Sequence, residues 1–281
     1  MLHSLLTAIR SRVSARCRLL AAVAAGLLPI LAGPAAAQGD RLVDVQNRGE
    51  VRVCIWPDYY GISFRNPKTR QVVGVDADMA RELAKELGVR LRFVDSSFAT
   101  LSDDLLGNRC DLAMFAIAVT PARNAVLRFT RPHLRSDIYA ITTRANRRIK
   151  SWNDIDTAGV VVAVAKGTLH ENIMRERLRH ATLLVTTTPH EREQEVEAGR
   201  ADVFMTDFPY SRRMLEFADW ARVLAPPAPY HPSDYAYAMK PGDDRWYARI
   251  ERFVADVQRD GRLLGAARRY GLDPIVIAPS R

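Results

Sequence analysis

Three short segments contain residue types that bind charged small molecules, and the first is Thr120-Pro121-Ala122-Arg123. This segment follows a predicted apolar strand. Thr120 is suited to cap a helix, and Pro121 is suited to the first helical position. A guanidinium in the first turn opposes the helix dipole by about 0.3 to 1 kcal/mol. We therefore expect Arg123 to have an anionic partner, either a ligand or an acidic side chain of the protein.

The other two segments are Lys166-Gly167-Thr168 and the region around Asp207, which also follow predicted strands. Gly167 lets the backbone approach a ligand, and Thr168 with the free N–H groups of a helix start forms an anion site. The alternative is an ordinary strand-to-helix turn. The Asp207 carboxylate either accepts hydrogen bonds from a ligand ammonium or caps the helix that Pro209 opens. Together with the guanidinium, these groups suit a zwitterionic ligand.

Aromatic side chains lie just beyond the first two predicted strands, at Trp56, Tyr59, Tyr60 and Phe98. In open parallel sheets, ligands bind beyond the carboxyl ends of the strands. These rings are therefore candidates for the walls of a pocket. Packing in the core or at the rim is the alternative for each of them.

The elements that position these residues begin with a β-α-β-α-β unit. Asp76 or Asp78 is expected to cap its first helix, which Gly88 ends. Such an alternation implies a parallel sheet covered on both faces, so the predicted fold class is α/β. The predicted strands span 51–56, 90–94 and 111–117. The first predicted helix ends at Leu87, and the second spans 101–106.

A second α/β unit follows a connecting stretch from Ser136 to Arg148. A returning strand at 234–239 and a last amphipathic helix complete the chain. The strands of the second unit are predicted at 160–165, 183–187 and 203–205, and its helices at 170–179 and 189–199. The last helix of the chain has four apolar residues on one face, namely Trp246, Ile250, Phe253 and Val257.

This order predicts two lobes, each a mostly parallel sheet flanked by helices. The first lobe is expected to contain 38–136 and a return segment, 236–281, and the second lobe is expected to contain 137–235. The chain would then cross between the lobes twice, which creates a hinged cleft.

Residues 1–37 have the charged, apolar, small-residue order of a cleaved signal peptide. Four arginines precede an apolar run at 19–31, and Ala35-Ala36-Ala37 follows it. The run is short for a spanning helix, which needs about 20 residues. An uncleaved anchor remains the alternative. The predicted location is the periplasm.

The charge of the chain does not favour nucleic acid as a partner. Removing residues 1–37 lowers the formal net charge from +9 to +5. The remaining basic residues are interspersed with acids, as in the run EREQEVEAGR at 191–200, which is typical of a solvated helix surface. No basic stripe interleaved with aromatics is present.

The cysteines do not indicate a metal site. Cys17 is lost with the signal peptide, which leaves Cys54 and Cys110 without zinc-ligand spacing. A disulfide between them is compatible with an oxidising compartment, but two buried thiols are the favoured interpretation. We expect no metal, no cofactor and no catalytic residue.

Four segments of this sequence resemble the family 3 extracellular solute-binding proteins of amino-acid ABC transporters. They are GVDADMARELAKELGV, CDLAMFAIAVTPARNAVLRFTRP, VAKGT and GRADVFMTD, and the resemblance covers most of 45–275. It implies the two-lobed fold of the periplasmic binding proteins. A small carboxylate or zwitterionic ligand, an ABC transporter permease as partner and a monomeric state are the corresponding expectations.

The resemblance also implies roles for individual residues. Arg123 would clamp the carboxylate of the ligand, assisted by the turn at Thr168 and Leu169. Asp207 would bind the ammonium, and Tyr59 would pack on the side chain of the ligand.

Three positions depart from the family pattern. Ala116 and Ala118 stand where a hydroxyl often faces the ligand, and Trp56 stands where an acidic residue is frequent. Loss of these polar partners favours a neutral, aromatic or otherwise apolar-bodied carboxylate over a cationic amino acid.

Two rival functions remain. The sequence is also similar to periplasmic cyclohexadienyl dehydratase, an enzyme on the same fold that needs a general acid. That enzyme has a glutamate at a position where this chain has His170, with Glu171 beside it. A ligand-sensing partner of a membrane receptor is the second alternative.

Overall fold

The computed structural model describes residues 40–278 of the 281-residue chain. The predicted signal peptide, residues 1–37, lies outside the described residues. Within 40–278, no helix is both long enough and apolar enough to cross a membrane.

The strands, in chain order, are β1 (Glu50–Ile55), β2 (Phe64–Arg65), β3 (Val72–Val73), β4 (Arg90–Asp95), β5 (Leu112–Ala118), β6 (Arg128–Phe129), β7 (Leu134–Ser136), β8 (Ile138–Thr143), β9 (Val161–Ala165), β10 (Thr182–Thr186), β11 (Val203–Asp207), β12 (Ala221–Leu224) and β13 (Ser233–Met239). The helices are α1 (Arg41–Arg48), α2 (Val75–Leu87), α3 (Leu101–Leu106), α4 (Pro121–Asn124), α5 (Leu169–Arg177), α6 (Pro189–Glu197), α7 (Phe208–Phe217), α8 (Asp244–Arg259) and α9 (Arg262–Arg269). Short 3-10 turns span Trp152–Asp154 and Asp273–Ile275.

The first sheet has the strand order β4-β1-β5-β13-β6, and β7 also pairs with β13. Strands β4, β1 and β5 are parallel, whereas β13 returns antiparallel to β5. Every residue of β5 is buried, as its continuous apolar sequence predicts. We call the elements around this sheet lobe 1.

The second sheet has the order β10-β9-β11-β8-β12, and we call the elements around it lobe 2. Strands β10, β9 and β11 are parallel, and β8 and β12 run antiparallel to them. The prediction that 136–148 is only a connection is wrong, because β8 lies within it. The β-branched and aromatic residues of Ile138–Thr143 favour a strand, and pairing with two neighbours buries it.

The chain passes between the sheets twice. Strand β7 ends at Ser136 in the first sheet, and β8 begins at Ile138 in the second. The return runs from Leu224 at the end of β12 to Ser233 at the start of β13. The boundary placed at 235/236 from sequence therefore falls inside β13.

Cys54 and Cys110 form a disulfide, so the favoured interpretation of two buried thiols is wrong. The cause is strand pairing. Cys54 in β1 lies beside Ala113 of β5, and Cys110 comes shortly before β5 begins. Their Cα atoms are consequently only 5.5 Å apart, within the range that a disulfide spans.

The N-cap of helix α2 is Gly74, whereas the sequence predicts Asp76 or Asp78 there. The backbone of Gly74 has φ 131°, and an added Cβ would lie 2.3 Å from the carbonyl carbon of Ile62. Only glycine fits there. This leaves the carboxylate of Asp76 free to turn inward.

The inward-facing Asp76 is fully buried and binds three groups of lobe 1. Its carboxylate accepts hydrogen bonds from the Ala116 N–H at 2.7 Å and the Tyr237 hydroxyl at 3.1 Å, and it lies 3.2 Å from His133 Nε2. Ala116 has φ 48°, a left-handed conformation that is uncommon for alanine. The hydrogen bond that the Ala116 N–H donates to Asp76 thus helps to hold the end of β5 in a strained shape.

Candidate functional site

A cavity between the two sheets is lined by nine of the side chains that the sequence nominates for ligand binding, and Tyr60 is the aromatic candidate that is not among them. It is narrow, because the centre of a water-sized sphere can occupy only about 20 Å³ of it. Five further residues line it that sequence reasoning did not nominate. The nominated residues are Trp56, Tyr59, Phe98, Ala116, Ala118, Arg123, Thr168, Leu169 and Asp207, and the additional ones are His170, Arg192, Thr206, Tyr210 and Tyr235.

The parallel strands explain why distant segments meet here. Trp56 follows β1, Phe98 lies a few residues beyond β4, and Ala118 ends β5. From lobe 2, Thr168 lies just beyond β9 and Asp207 ends β11. The carboxyl ends of parallel strands share one edge of a sheet, and in this chain the two such edges face one cavity.

Arg123 lies in the four-residue helix α4, and the predicted Thr120 cap is confirmed, because its hydroxyl accepts from the Arg123 N–H. The guanidinium donates to the Ala118 carbonyl at 2.9 Å and, across the cavity, to the Gly167 carbonyl at 3.0 Å. Its carbon lies 5.3 Å from the centroid of the Phe98 ring. Desolvation lowers the pKa of Arg123 to about 10, which still leaves it charged at neutral pH.

Asp207 caps α7, as one of the two sequence interpretations predicts, and it also lines the cavity. One oxygen accepts from the Tyr210 N–H at 3.2 Å. The other accepts from the Tyr235 hydroxyl at 2.9 Å and from the Tyr59 hydroxyl. Desolvation raises the pKa of Asp207, although these hydrogen bonds oppose the shift. Because Tyr59 and Tyr235 belong to lobe 1, the carboxylate bridges the two lobes.

The turn before α5 brings the lobes into close contact. Gly167 has φ 76°, and a Cβ there would lie 2.7 Å from the backbone of Ala99 in lobe 1. Thr168 caps α5 by accepting from the Glu171 N–H, and its hydroxyl donates to the Ala165 carbonyl at 2.7 Å. The glycine therefore permits the approach that closes this side of the cavity.

Aromatic rings form much of the apolar wall. Trp56 and Phe98 meet edge to face with centroids 5.1 Å apart, and Trp56 and Tyr59 lie 5.0 Å apart. Tyr60 does not line the cavity. Its hydroxyl donates to Glu216 at 2.7 Å, in a contact between the lobes outside the cavity.

Arg192 is the most unexpected lining residue, because the run that contains it has the composition of a solvated surface. It is 2% exposed. The guanidinium donates to the Met205 carbonyl at 2.9 Å, and its second amino group lies 3.5 Å from the Thr206 hydroxyl. Its position relative to Val196 could have indicated this burial. Val196 lies four residues later, on the same face of α6, and is also buried.

His170 lies beside two positive charges and is buried. Desolvation, reinforced by Arg192 and Arg123, lowers its pKa to about 3. The imidazole is therefore neutral across the physiological range. Glu171 does not line the cavity, since its carboxylate accepts from the Gly167 N–H at 2.7 Å and from Arg175 at 2.9 Å.

In the part of the chain that the structure describes, no group of three or more His, Cys, Asp and Glu side chains is placed to hold a metal ion. What the cavity offers is two guanidiniums, one carboxylate, several hydroxyls and apolar walls. Such a set can bind and orient a small acid.

A model of the bacterial extracellular solute-binding proteins, family 3, matches residues 51–273. The chain belongs to this family. The resemblance of the four segments is thereby confirmed. Curated relatives of this family 3 protein include cyclohexadienyl dehydratase of Pseudomonas aeruginosa, 29% identical over 228 residues that cover 81% of this chain and 84% of the relative. The amino-acid-binding protein AabA of Dichelobacter nodosus is 27% identical over 223 residues, covering 76% and 85% respectively.

A solved structure similar to this family 3 protein is that of the ancestral amino acid-binding protein AncCDT-1, described as a precursor of cyclohexadienyl dehydratase. The TM-score is 0.75 at 28% identity, and the match covers 82% of this chain and 98% of the other. The predicted α/β fold with two lobes is confirmed by such neighbours and by the two sheets. The relatives include both binding proteins and an enzyme.

Proposed function

We propose that this protein is a periplasmic solute-binding protein that captures a small carboxylate-bearing solute between its lobes. The observation that supports the proposal is the charge of Arg123 together with its hydrogen bonds. Its guanidinium lines the cavity, remains charged at neutral pH and, within residues 40–278, donates only to backbone carbonyl groups. A ligand carboxylate would give it the charge-assisted partner that these carbonyl groups do not supply.

Closure of the lobes over the ligand is the proposed mode of capture. Arg123 reaches from lobe 1 to the Gly167 carbonyl in lobe 2, and the Asp207 carboxylate accepts from hydroxyls of lobe 1. These contacts would re-form around a bound acid. The closed, loaded monomer would then be delivered to the permease of an ABC transporter.

Dehydration of a cyclohexadienyl acid is the second candidate, favoured by the 29% identical dehydratase. That chemistry needs a general acid. His170 faces the cavity but is neutral at pH 7, and Glu171 is held by the Gly167 N–H and Arg175. His170 therefore carries no extra proton at neutral pH, and Glu171 does not line the cavity, which supports the binding role. Ligand sensing with a membrane receptor would use the same cavity and differ only in the partner.

A thermal-shift screen of the purified protein against amino acids, keto acids and aromatic acids tests the proposal. A ligand present at 100 times its Kd should stabilise the protein by about 2.7 kcal/mol. The same preparation is incubated with prephenate and with arogenate. Stabilisation by an acid without turnover supports capture, whereas turnover of either compound would establish the enzyme instead.

A further inference from the structure

Arg192 is a second buried cation of the cavity, in addition to Arg123. Its side chain extends from α6, and the guanidinium carbon lies over two aromatic rings, 4.9 Å from the centroid of Phe204 and 4.4 Å from the centroid of Tyr210. Rings contact the face of a guanidinium, whereas its N–H donors lie in the plane. The rings therefore hold the group in place without using its hydrogen-bonding capacity.

The donors of Arg192 are only partly satisfied by the protein. One amino group donates to the Met205 carbonyl at 2.9 Å, and the other makes a long contact of 3.5 Å with the Thr206 hydroxyl. Its Nε has no hydrogen-bond partner among the described residues, and neither does Nδ1 of the adjacent His170. A buried charge normally has a hydrogen-bonded counter-charge, because desolvation without one is costly.

No acidic side chain in residues 40–278 forms an ion pair with Arg192. The adjacent Glu193 is turned elsewhere: its carboxylate accepts from the Tyr210 hydroxyl and lies 3.5 Å from His190. Asp207 is occupied by the hydroxyls of Tyr59 and Tyr235. The guanidinium thus lacks a direct carboxylate partner.

The charges of the cavity lining are consequently unequal. Among the described residues that line the cavity, two carry a guanidinium, Arg123 and Arg192, and one carries a carboxylate, Asp207. His170 adds no charge, because burial and both arginines keep its pKa at about 3. A ligand with one carboxylate would neutralise only one of the two cations. A ligand with two acidic groups would give each arginine a partner.

We propose that Arg192 is a second anion-binding residue of the cavity and that the natural ligand is a small diacid with an apolar body. This inference rests on the proposed function, since it names the class of solute that is captured. Arg123 would bind one acidic group, and Arg192 with Thr206 and His170 would bind the other. The rings of Trp56 and Phe98 would pack against the carbon skeleton between them.

Matched pairs of acids test this directly by calorimetry. Phenylsuccinate is compared with 3-phenylpropionate, which lacks one carboxylate, and L-glutamate is compared with L-glutamine. The protein should bind the diacid of at least one pair about tenfold tighter or more than its partner, because a charge-assisted hydrogen bond is worth that difference. Arg192→Gln should reduce the ratio to near one.

Arg200→Gln is the control, since Arg200 is exposed and pairs with Glu195 outside the cavity. It should leave the ratio unchanged. Arg192→Lys, which retains the charge, should preserve part of the preference even where Arg192→Gln folds poorly. Equal affinity for both members of each pair, or a preference that survives Arg192→Gln, would overturn the inference while the proposed function stands. Failure of every acid in the wider screen to bind would overturn the proposed function itself.

Discussion

Asp76 and Asp207 are both buried carboxylates that accept hydrogen bonds from tyrosine hydroxyls, yet their partners lie in different parts of the molecule. Asp76 interacts with Ala116 N–H, His133 and Tyr237, all within lobe 1. Asp207 lies in lobe 2 and accepts from Tyr59 and Tyr235 of lobe 1.

We interpret this difference as separating a structural carboxylate, Asp76, from one that we propose to act in binding, Asp207. The Asp76 contacts persist whether or not the lobes move, because no contact crosses the cavity. The hydroxyl contacts of Asp207 must break when the lobes separate. Substitutions at the first site should therefore change stability, and those at the second should change ligand affinity and closure.

Asp76→Ala should produce the largest loss of stability. It leaves the Ala116 N–H, the Tyr237 hydroxyl and His133 without their acceptor, and each unpaired buried group costs about 1 to 3 kcal/mol. We expect the free energy of unfolding to fall by at least about 3 kcal/mol in urea titration. Asp207→Asn, which keeps a hydrogen-bond acceptor, is the comparison and should lose less. Equal losses would remove the distinction between the two carboxylates.

His170, which lines the cavity, should make the free energy of unfolding depend on pH. Its pKa is lowered from 6.5 to about 3, so the unfolded chain binds a proton between these values and the native protein does not. The stabilising contribution is complete above pH 6.5 and declines as the pH falls toward 3. From pH 7 to pH 5 the native protein should lose about 2 kcal/mol more stability than His170→Asn does. Parallel slopes for the two proteins would show that the imidazole is charged when folded.

Tyr237→Phe and Tyr235→Phe form a matched pair with the smallest expected effects. The two tyrosines are neighbours on β13 and donate to Asp76 and Asp207 respectively. Tyr237→Phe should cost about 1 kcal/mol in unfolding free energy and leave ligand affinity unchanged. Tyr235→Phe should cost less than that and change ligand affinity, measured by calorimetry. The reverse pattern would exchange the roles assigned to the two carboxylates.

The cavity lining was largely predictable because its motifs follow parallel strands. The segments at Arg123, Thr168 and Asp207 come after apolar strands, and the carboxyl ends of such strands converge in any open α/β sheet. No long-range contact had to be known. Trp56 and Phe98 also follow parallel strands, so the same argument predicts that they line the cavity.

Other features depended on contacts that the sequence does not display. Arg192 lies in a run of charges, and only the packing of α6 on the sheet reveals that it is buried. Tyr235 reaches the cavity because β13 returns beside β5. The sequence predicts Asp76 or Asp78 as the cap of α2, but the close approach of Gly74 to Ile62 changes the start of that helix. The pairing of β1 with β5 likewise brings Cys54 close enough to Cys110 to form the disulfide, and the sequence does not display this pairing.

Titration calorimetry of Arg123→Met with the tightest acid found in the screen is the most direct test of carboxylate capture. The variant removes the guanidinium and keeps much of the side-chain length, and Arg200→Met provides the control on the exposed surface of lobe 2. Loss of a charge-assisted contact should weaken binding by about tenfold to a hundredfold in Arg123→Met and leave the control unchanged. Affinity that is the same in Arg123→Met, Arg200→Met and the unmodified protein would contradict the carboxylate clamp.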